Sequence, residues 1–199
     1  VYFTFFPEVN YYHNPDRSKS DLMPTLNAKN LTLSEIHRTL GFQMQMNSSF
    51  TGLLSLEDLS EFEQQQLLEI REDFNNYLIA GKISEGQVKF LFLSPLMRLA
   101  RFFHHPVEIT LEENIEQINI EDDDTIITGR MDILGIKNAQ VSGLPRFWVL
   151  LIEAKNSEAN ELNGLPQLLT YAFKSLEQQE SIWGLTTNGV GYRFVYIPS

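Results

Sequence analysis

Trp148-Val149-Leu150-Leu151-Ile152-Glu153-Ala154-Lys155 is the stretch on which the fold turns. An unbroken apolar run of this length reads as a strand built to be buried. It closes on two charges. Side chains alternate along a strand, so Glu153 and Lys155 project from one face and Ala154 from the other. A second apolar run, Met131-Asp132-Ile133-Leu134, is broken by an aspartate. Charge is disfavoured in strands built for burial, so two such breaks in neighbouring strands mark a place where charge has a task.

Outward from this strand, earlier strands are expected at 107–112, 116–120 and 125–136. A helix is expected over roughly 166–179, with Gly164-Leu165-Pro166 placing proline in its first turn. Two strands, 181–187 and 191–197, close the chain around Asn188-Gly189, a hairpin-turn pair. Upstream, Ser84-Glu85-Gly86-Gln87 has capping-box spacing and opens an apolar helix through Phe103, which Pro95 kinks or breaks. Leu59, Phe62, Leu67, Leu68, Phe74 and Leu78 recur at helical spacing, predicting an amphipathic helix from Leu56 to Ala80 that Gly81 stops. A shorter helix is expected from near Thr32 to Gly41. Residues 1–30 read as irregular, with turn signals at Asn14-Pro15-Asp16 and Met23-Pro24, and Met44, Met46 and Phe50 fall in a loop. This order argues an α/β or α+β fold, and the expectation is α/β: a mixed sheet flanked by helices over 81–199, preceded by an N-terminal helical extension over 1–80.

The 199 residues suffice for one α/β domain with an appendage, and 43% hydrophobic with 21% charged residues is a globular composition, not a disordered one. There is no cysteine, which removes disulfides and thiolate metal sites and fits a reducing compartment. The N-terminal run Val1–Phe6 is too short for a signal peptide or a membrane span, so the expectation is a cytoplasmic protein without a membrane partner. A formal charge of −11 opposes tight, unaided binding to nucleic acid, because phosphate contacts need Lys and Arg. Part of that charge sits in Glu121-Asp122-Asp123-Asp124, which reads as a solvated turn.

The chemistry centres on three residues. Mg²⁺ takes oxygen ligands at about 2.0–2.1 Å, usually one or two carboxylates with water and phosphate. Asp132 and Glu153 can supply those carboxylates if their strands pair, and Lys155 can orient a water or stabilise developing charge. Glu153-Ala154-Lys155 alone also reads as a plain ion pair at a strand end; Asp132 at a matching position raises its weight. On the following helix Gln167 and Tyr171, four apart, share one face, opposite an apolar stripe of Leu168, Leu169, Ala172, Phe173 and Leu176. They can hydrogen-bond phosphate or a ligating carboxylate, or form an ordinary polar face. Glu85 suits a first helical turn through the helix dipole and can equally serve as a further carboxylate. His104-His105 lacks chelating spacing, and Thr186, Thr187 and Asn188 suit turn chemistry. No Gly-x-Ser-x-Gly, His-Glu-x-x-His or phosphate loop is present, and Gly81-Lys82 is followed by Ile83, so no nucleotide-driven motor is encoded here.

Gly129-Arg130-Met131-Asp132, Glu153-Ala154-Lys155 and Gln167-Leu168-Leu169-Thr170-Tyr171 together resemble the PD-(D/E)XK nuclease superfamily, in its subgroup with a Gln-x-x-x-Tyr helix motif. The chain is most similar to the N-terminal nuclease domain of type I restriction enzyme R subunits. Ser84-Glu85 through Ser94-Pro95-Leu96-Met97 and Thr186-Thr187-Asn188-Gly189 extend the likeness over about residues 82–197. It departs from the superfamily pattern where Met131, not proline, precedes Asp132. The resemblance implies a restriction-endonuclease-like core, with Asp132 and Glu153 as Mg²⁺ or Mn²⁺ ligands, Glu85 as an auxiliary metal carboxylate, and Lys155, Gln167 and Tyr171 completing the catalytic set. The expected function is hydrolysis of DNA phosphodiester bonds in a restriction system, with DNA as partner and room for partner subunits or a homo-oligomer. The alternative is a non-catalytic nucleic-acid-binding or subunit-assembly module that keeps the fold. The acidic charge favours that alternative, and the intact Asp132, Glu153, Lys155 set favours the enzyme.

Overall fold

The computed structural model describes residues 4–5, 9–13, 25–45, 57–112, 114–120, 125–137, 147–177 and 179–199. The acidic stretch 121–124, the turn signals at 14–16 and 23–24, and Met46 and Phe50 lie outside these residues. The protein is a mixed α/β structure. Its centre is the expected strand, Phe147–Ala154, flanked by Ile133–Lys137 (antiparallel) and Ser181–Thr187 (parallel). In chain order the strands are β1 (Thr4–Phe5), β2 (Val9–His13), β3 (Thr25–Asn27), β4 (Phe42–Gln45), β5 (Val107–Leu111), β6 (Asn114–Ile120), β7 (Thr125–Arg130), β8 (Ile133–Lys137), β9 (Phe147–Ala154), β10 (Ser181–Thr187) and β11 (Gly191–Pro198). The core is a five-stranded mixed sheet ordered β5-β8-β9-β10-β11, in which only the β9–β10 pair is parallel. That pair requires a crossover, which α5 (Leu165–Leu176) supplies.

Three findings differ from the expectations. First, the N-terminal region is helical only in part. It contains α1 (Leu33–Thr39) and α2 (Glu61–Ala80), but β2 pairs in parallel with β11, β4 pairs with β2, and β1 meets the start of β11. These short strands carry no long apolar run, so their pairing rests on the sheet edge they join. Second, the strand expected over 125–136 is two strands: β7 belongs to a separate three-stranded sheet, β3-β7-β6, and β8 to the main one. The chain changes sheets at Met131-Asp132. Third, the helix expected from Ser84 to Phe103 is α-helical over α3 (Glu85–Gln87), π-helical over Val88–Leu93, and α-helical again over α4 (Ser94–Leu99). Pro95 lacks an N–H and its ring crowds the carbonyl one turn back, and widening the preceding turn relieves both.

Successive residues feed two cores on opposite faces of the sheet. Ile133, Ile152, Ala154 and Leu185 pack with Phe74, Ile83, Val88, Phe92 and Met97 of the α2 to α4 layer. Leu134, Ile182, Val195 and Ile197 pack with Leu165, Leu168, Leu169 and Ala172 of α5. Residues 25–45 cover the outer side of α5 with Ala28, Leu31, Ile36, Leu40 and Phe42. The amphipathic expectation for α2 holds only partly: Phe74 is buried, but Leu59, Phe62 and Leu68 are exposed, because the helix meets the core along only one part of its length. Among the described residues no helix is long and apolar enough to cross a membrane.

Candidate active site

The charged residues meet at the carboxyl end of β9, where side-chain chemistry in α/β sheets gathers outside the hydrophobic layers. Asp132 occupies the gap between β7 and β8. Its Oδ2 accepts the Ala154 N–H at 2.8 Å, so the side chain takes a ladder position that the backbone has vacated. Its backbone carbonyl accepts the Glu112 N–H at 3.0 Å. Both contacts fix the carboxylate. Lys155, the first residue beyond β9, is pinned by its own N–H donating to the Thr187 carbonyl at 2.8 Å.

Glu153 lies inward of these. It is 0% exposed, its Oε2 lies 3.4 Å from Lys155 Nζ, and its Oε1 is buried with no hydrogen-bond partner. Burial and then the neighbouring Asp132 charge push its pKa well above the ordinary carboxylate range, against the pull of Lys155. The wall above it is Gly164, where a Cβ would stand 2.9 Å from Thr186 Cγ2 and 3.1 Å from Glu153 Cβ. Only glycine lets the start of α5 approach the sheet this closely.

From α5, Gln167 Oε1 accepts from Lys155 Nζ at 2.8 Å, and Gln167 Nε2 donates to Tyr171 OH at 3.4 Å. Tyr171 OH donates to the Arg130 carbonyl at 2.6 Å. The expected polar face of α5 is thus buried: Tyr171 packs in one core with Ala28, Leu31 and Ile36, and Gln167 is buried between it and Lys155. Tyr171 is spent on a backbone carbonyl, and burial with the Glu153 charge holds its pKa above the ordinary phenol value. Gln167 and Tyr171 therefore form a hydrogen-bond chain that runs from the Arg130 carbonyl to the Lys155 ammonium.

Glu85 joins the cluster through Lys89, a residue the sequence reading passed over. Lys89 Nζ lies 2.6 Å from Asp132 Oδ1 and 3.2 Å from Glu85 Oε1. Burial acts to lower the Lys89 pKa, but the hydrogen bond and charge of Asp132, with help from Glu85, outweigh it and raise it. The signal was present: Glu85 and Lys89 are four apart on one helix. Their helix is tied to the end of β9 by Ile83 N–H to Ser157 Oγ and Ser157 N–H to the Ile83 carbonyl, both 3.0 Å.

Beside Asp132 and Lys89 opens a cleft of about 310 Å³, walled by Phe90, Phe103, Leu111 and Ile133. On the other side the polar row continues across the sheet from Glu153 through Thr186 to Arg193, whose guanidinium lies 3.6 Å from the buried Glu161. His104 and His105 stand exposed in the loop after α4, and among the described residues no group of three or more His, Asp or Glu side chains converges as a metal cage. Comparison with family models, curated proteins and solved structures finds no match to this chain.

Proposed function

We propose that this protein is a divalent-cation-dependent nuclease of restriction-endonuclease-like fold that hydrolyses DNA phosphodiester bonds. One observation carries the reading: Glu153 is a fully buried carboxylate with an unpartnered oxygen, placed beside a second carboxylate and a lysine. The long 3.4 Å pair with Lys155 serves only Oε2, and a buried carboxylate oxygen left bare favours uptake of a proton or a further cation, because burying unsatisfied charge is costly. Asp132 lines the cleft and Glu153 lies buried close to it, and two neighbouring carboxylates are the kind of donor set that Mg²⁺ or Mn²⁺ takes when water and phosphate complete its shell. The residues present fit that group, with Asp132 and Glu153 as its protein ligands. When bound, the cation would polarise the phosphate and lower the pKa of a coordinated water.

The chain's own residues do the rest. The Ala154 N–H fixes the Asp132 rotamer, and Gln167 holds the Lys155 ammonium at the edge of Glu153, where it can meet negative charge developing on phosphate oxygens. Tyr171 holds Gln167. The order of elements supports the fold assignment: a capped helix carrying Glu85, the antiparallel β8–β9 pair bearing Asp132 and Glu153, then α5 crossing to a parallel β10.

The test is cleavage of supercoiled, linear duplex and single-stranded DNA at low salt, with Mg²⁺, Mn²⁺ or EDTA. Cleavage should require the cation and disappear in folded Lys155→Ala. Cleavage in EDTA, or unaltered cleavage by that variant, would refute the mechanism.

The net charge favours a second reading, a binding or assembly module. Among the described residues Lys82 pairs with Glu158 at 2.6 Å and Arg130 with Glu112 at 3.2 Å, which engages two cations that could otherwise meet phosphate. No cleavage of any DNA form with either metal decides for it.

A further inference from the structure

Each oxygen of Asp132 has a partner, Lys89 Nζ on Oδ1 and the Ala154 N–H on Oδ2, whereas the buried Oε1 of Glu153 has none. The cluster thus holds three carboxylates, Glu85, Asp132 and Glu153, against two ammonium groups. Lys155 is fixed from two sides by Glu153 and Gln167. Lys89 is held differently: among the described residues its partners are the carboxylates of Asp132 and Glu85, its side chain is 20% exposed, and it lines the cleft beside Asp132. Its helical turn is the π-helical one, a widening found often at functional sites.

We propose that Lys89 is a positioning residue that acts as an internal counter-ion, holding Asp132 in the absence of a divalent cation and releasing its Oδ1 when one binds. The proposal rests on the reading of Asp132 and Glu153 as cation ligands. Lys89 occupies Asp132 Oδ1 at 2.6 Å, and it sets a threshold, since a cation must compete with an ammonium for the same oxygen. A merely structural lysine would support the site, and its loss would weaken cation binding. A competing lysine does the reverse: its loss leaves Glu85 and Asp132 uncompensated and strengthens binding.

The experiment is calorimetric titration of the whole chain with Mn²⁺, without nucleic acid, comparing wild type with Lys89→Met and Lys89→Gln. Methionine keeps the apolar stem and glutamine keeps a donor for Asp132. Asp132→Asn reports any Mn²⁺ bound elsewhere on the acidic surface. The Mn²⁺ affinity should rise at least about fivefold in both Lys89 variants, the low end of typical coupling between sites. The added affinity should be lost when Asp132→Asn is combined with either. If Lys89→Met does not fold, Lys89→Gln alone carries the comparison. Equal or weaker affinity in the Lys89 variants, with wild-type binding intact, overturns the proposal and leaves the cation reading standing. No Asp132-dependent binding in any variant overturns both.

Discussion

Replacing Gln167 by methionine tests whether the site is held by a chain of hydrogen bonds or only by packing. Gln167 makes two, a charge-assisted bond from Lys155 Nζ at 2.8 Å and a long one to Tyr171 OH at 3.4 Å. Methionine matches its length and helix propensity, so packing in α5 changes little. The first bond contributes about 1.5–3 kcal/mol and the second, at its length, about 0.5 kcal/mol or less. Lys155 keeps Glu153 at 3.4 Å and Tyr171 keeps the Arg130 carbonyl, so neither is left wholly unpaired. The expected loss is about 2–3 kcal/mol, which in a chain of this size lowers Tm by roughly 4–12 °C. Circular dichroism melting checks this. Release of Lys155 should also slow cleavage by about a hundredfold, the scale that a misplacement of about 1 Å brings. A smaller double-mutant effect with Tyr171→Phe than the sum of the single ones would show that the bonds act as one chain. A melting shift under about 1 °C, with unchanged kcat, would refute the reasoning, because Lys155 would then be placed without Gln167.

Glu153→Gln should change how stability depends on pH. The folded-state pKa of Glu153 lies above its ordinary 4.5, so its contribution is full below that value and is lost as pH rises through the folded pKa. Without divalent cation the wild type should therefore fall in Tm relative to Glu153→Gln as pH is raised from about 4.5 toward 8; parallel Tm curves would sink the assignment. Arg193→Met leaves the buried Glu161 without its guanidinium and should cost about 3–5 kcal/mol in chemical denaturation. Adding Glu161→Gln should recover much of that loss, and an additive double variant would refute the pairing.

Three local signals made much of this protein legible from its residues alone. Apolar run and charged end in Trp148–Lys155 match β9 and the charged residues at its carboxyl end, because a buried strand needs only continuous hydrophobicity and period two. Proline after Gly164 and the stripe of Leu168, Leu169 and Ala172 mark α5 in the same way, as Asn188-Gly189 marks the β10–β11 turn, with Gly189 at φ 85°. Each is a property of neighbours in sequence.

What only the tertiary structure decided depends on partners far along the chain. Asp132 reads as a residue inside a strand, yet it stands where the chain changes sheets, and its ladder bond comes from Ala154, on another strand. Gln167 and Tyr171 read as a polar face, but Tyr171 packs among Ala28, Leu31 and Ile36, and that face becomes an interior hydrogen-bond chain. Lys89 follows Glu85 at ordinary helical spacing, and only the placement of its helix against β8 brings its ammonium to Asp132, 43 residues on. Periodicity records which face of an element is apolar; it carries nothing about which distant charge that element will meet, because that pairing is set by how the layers pack.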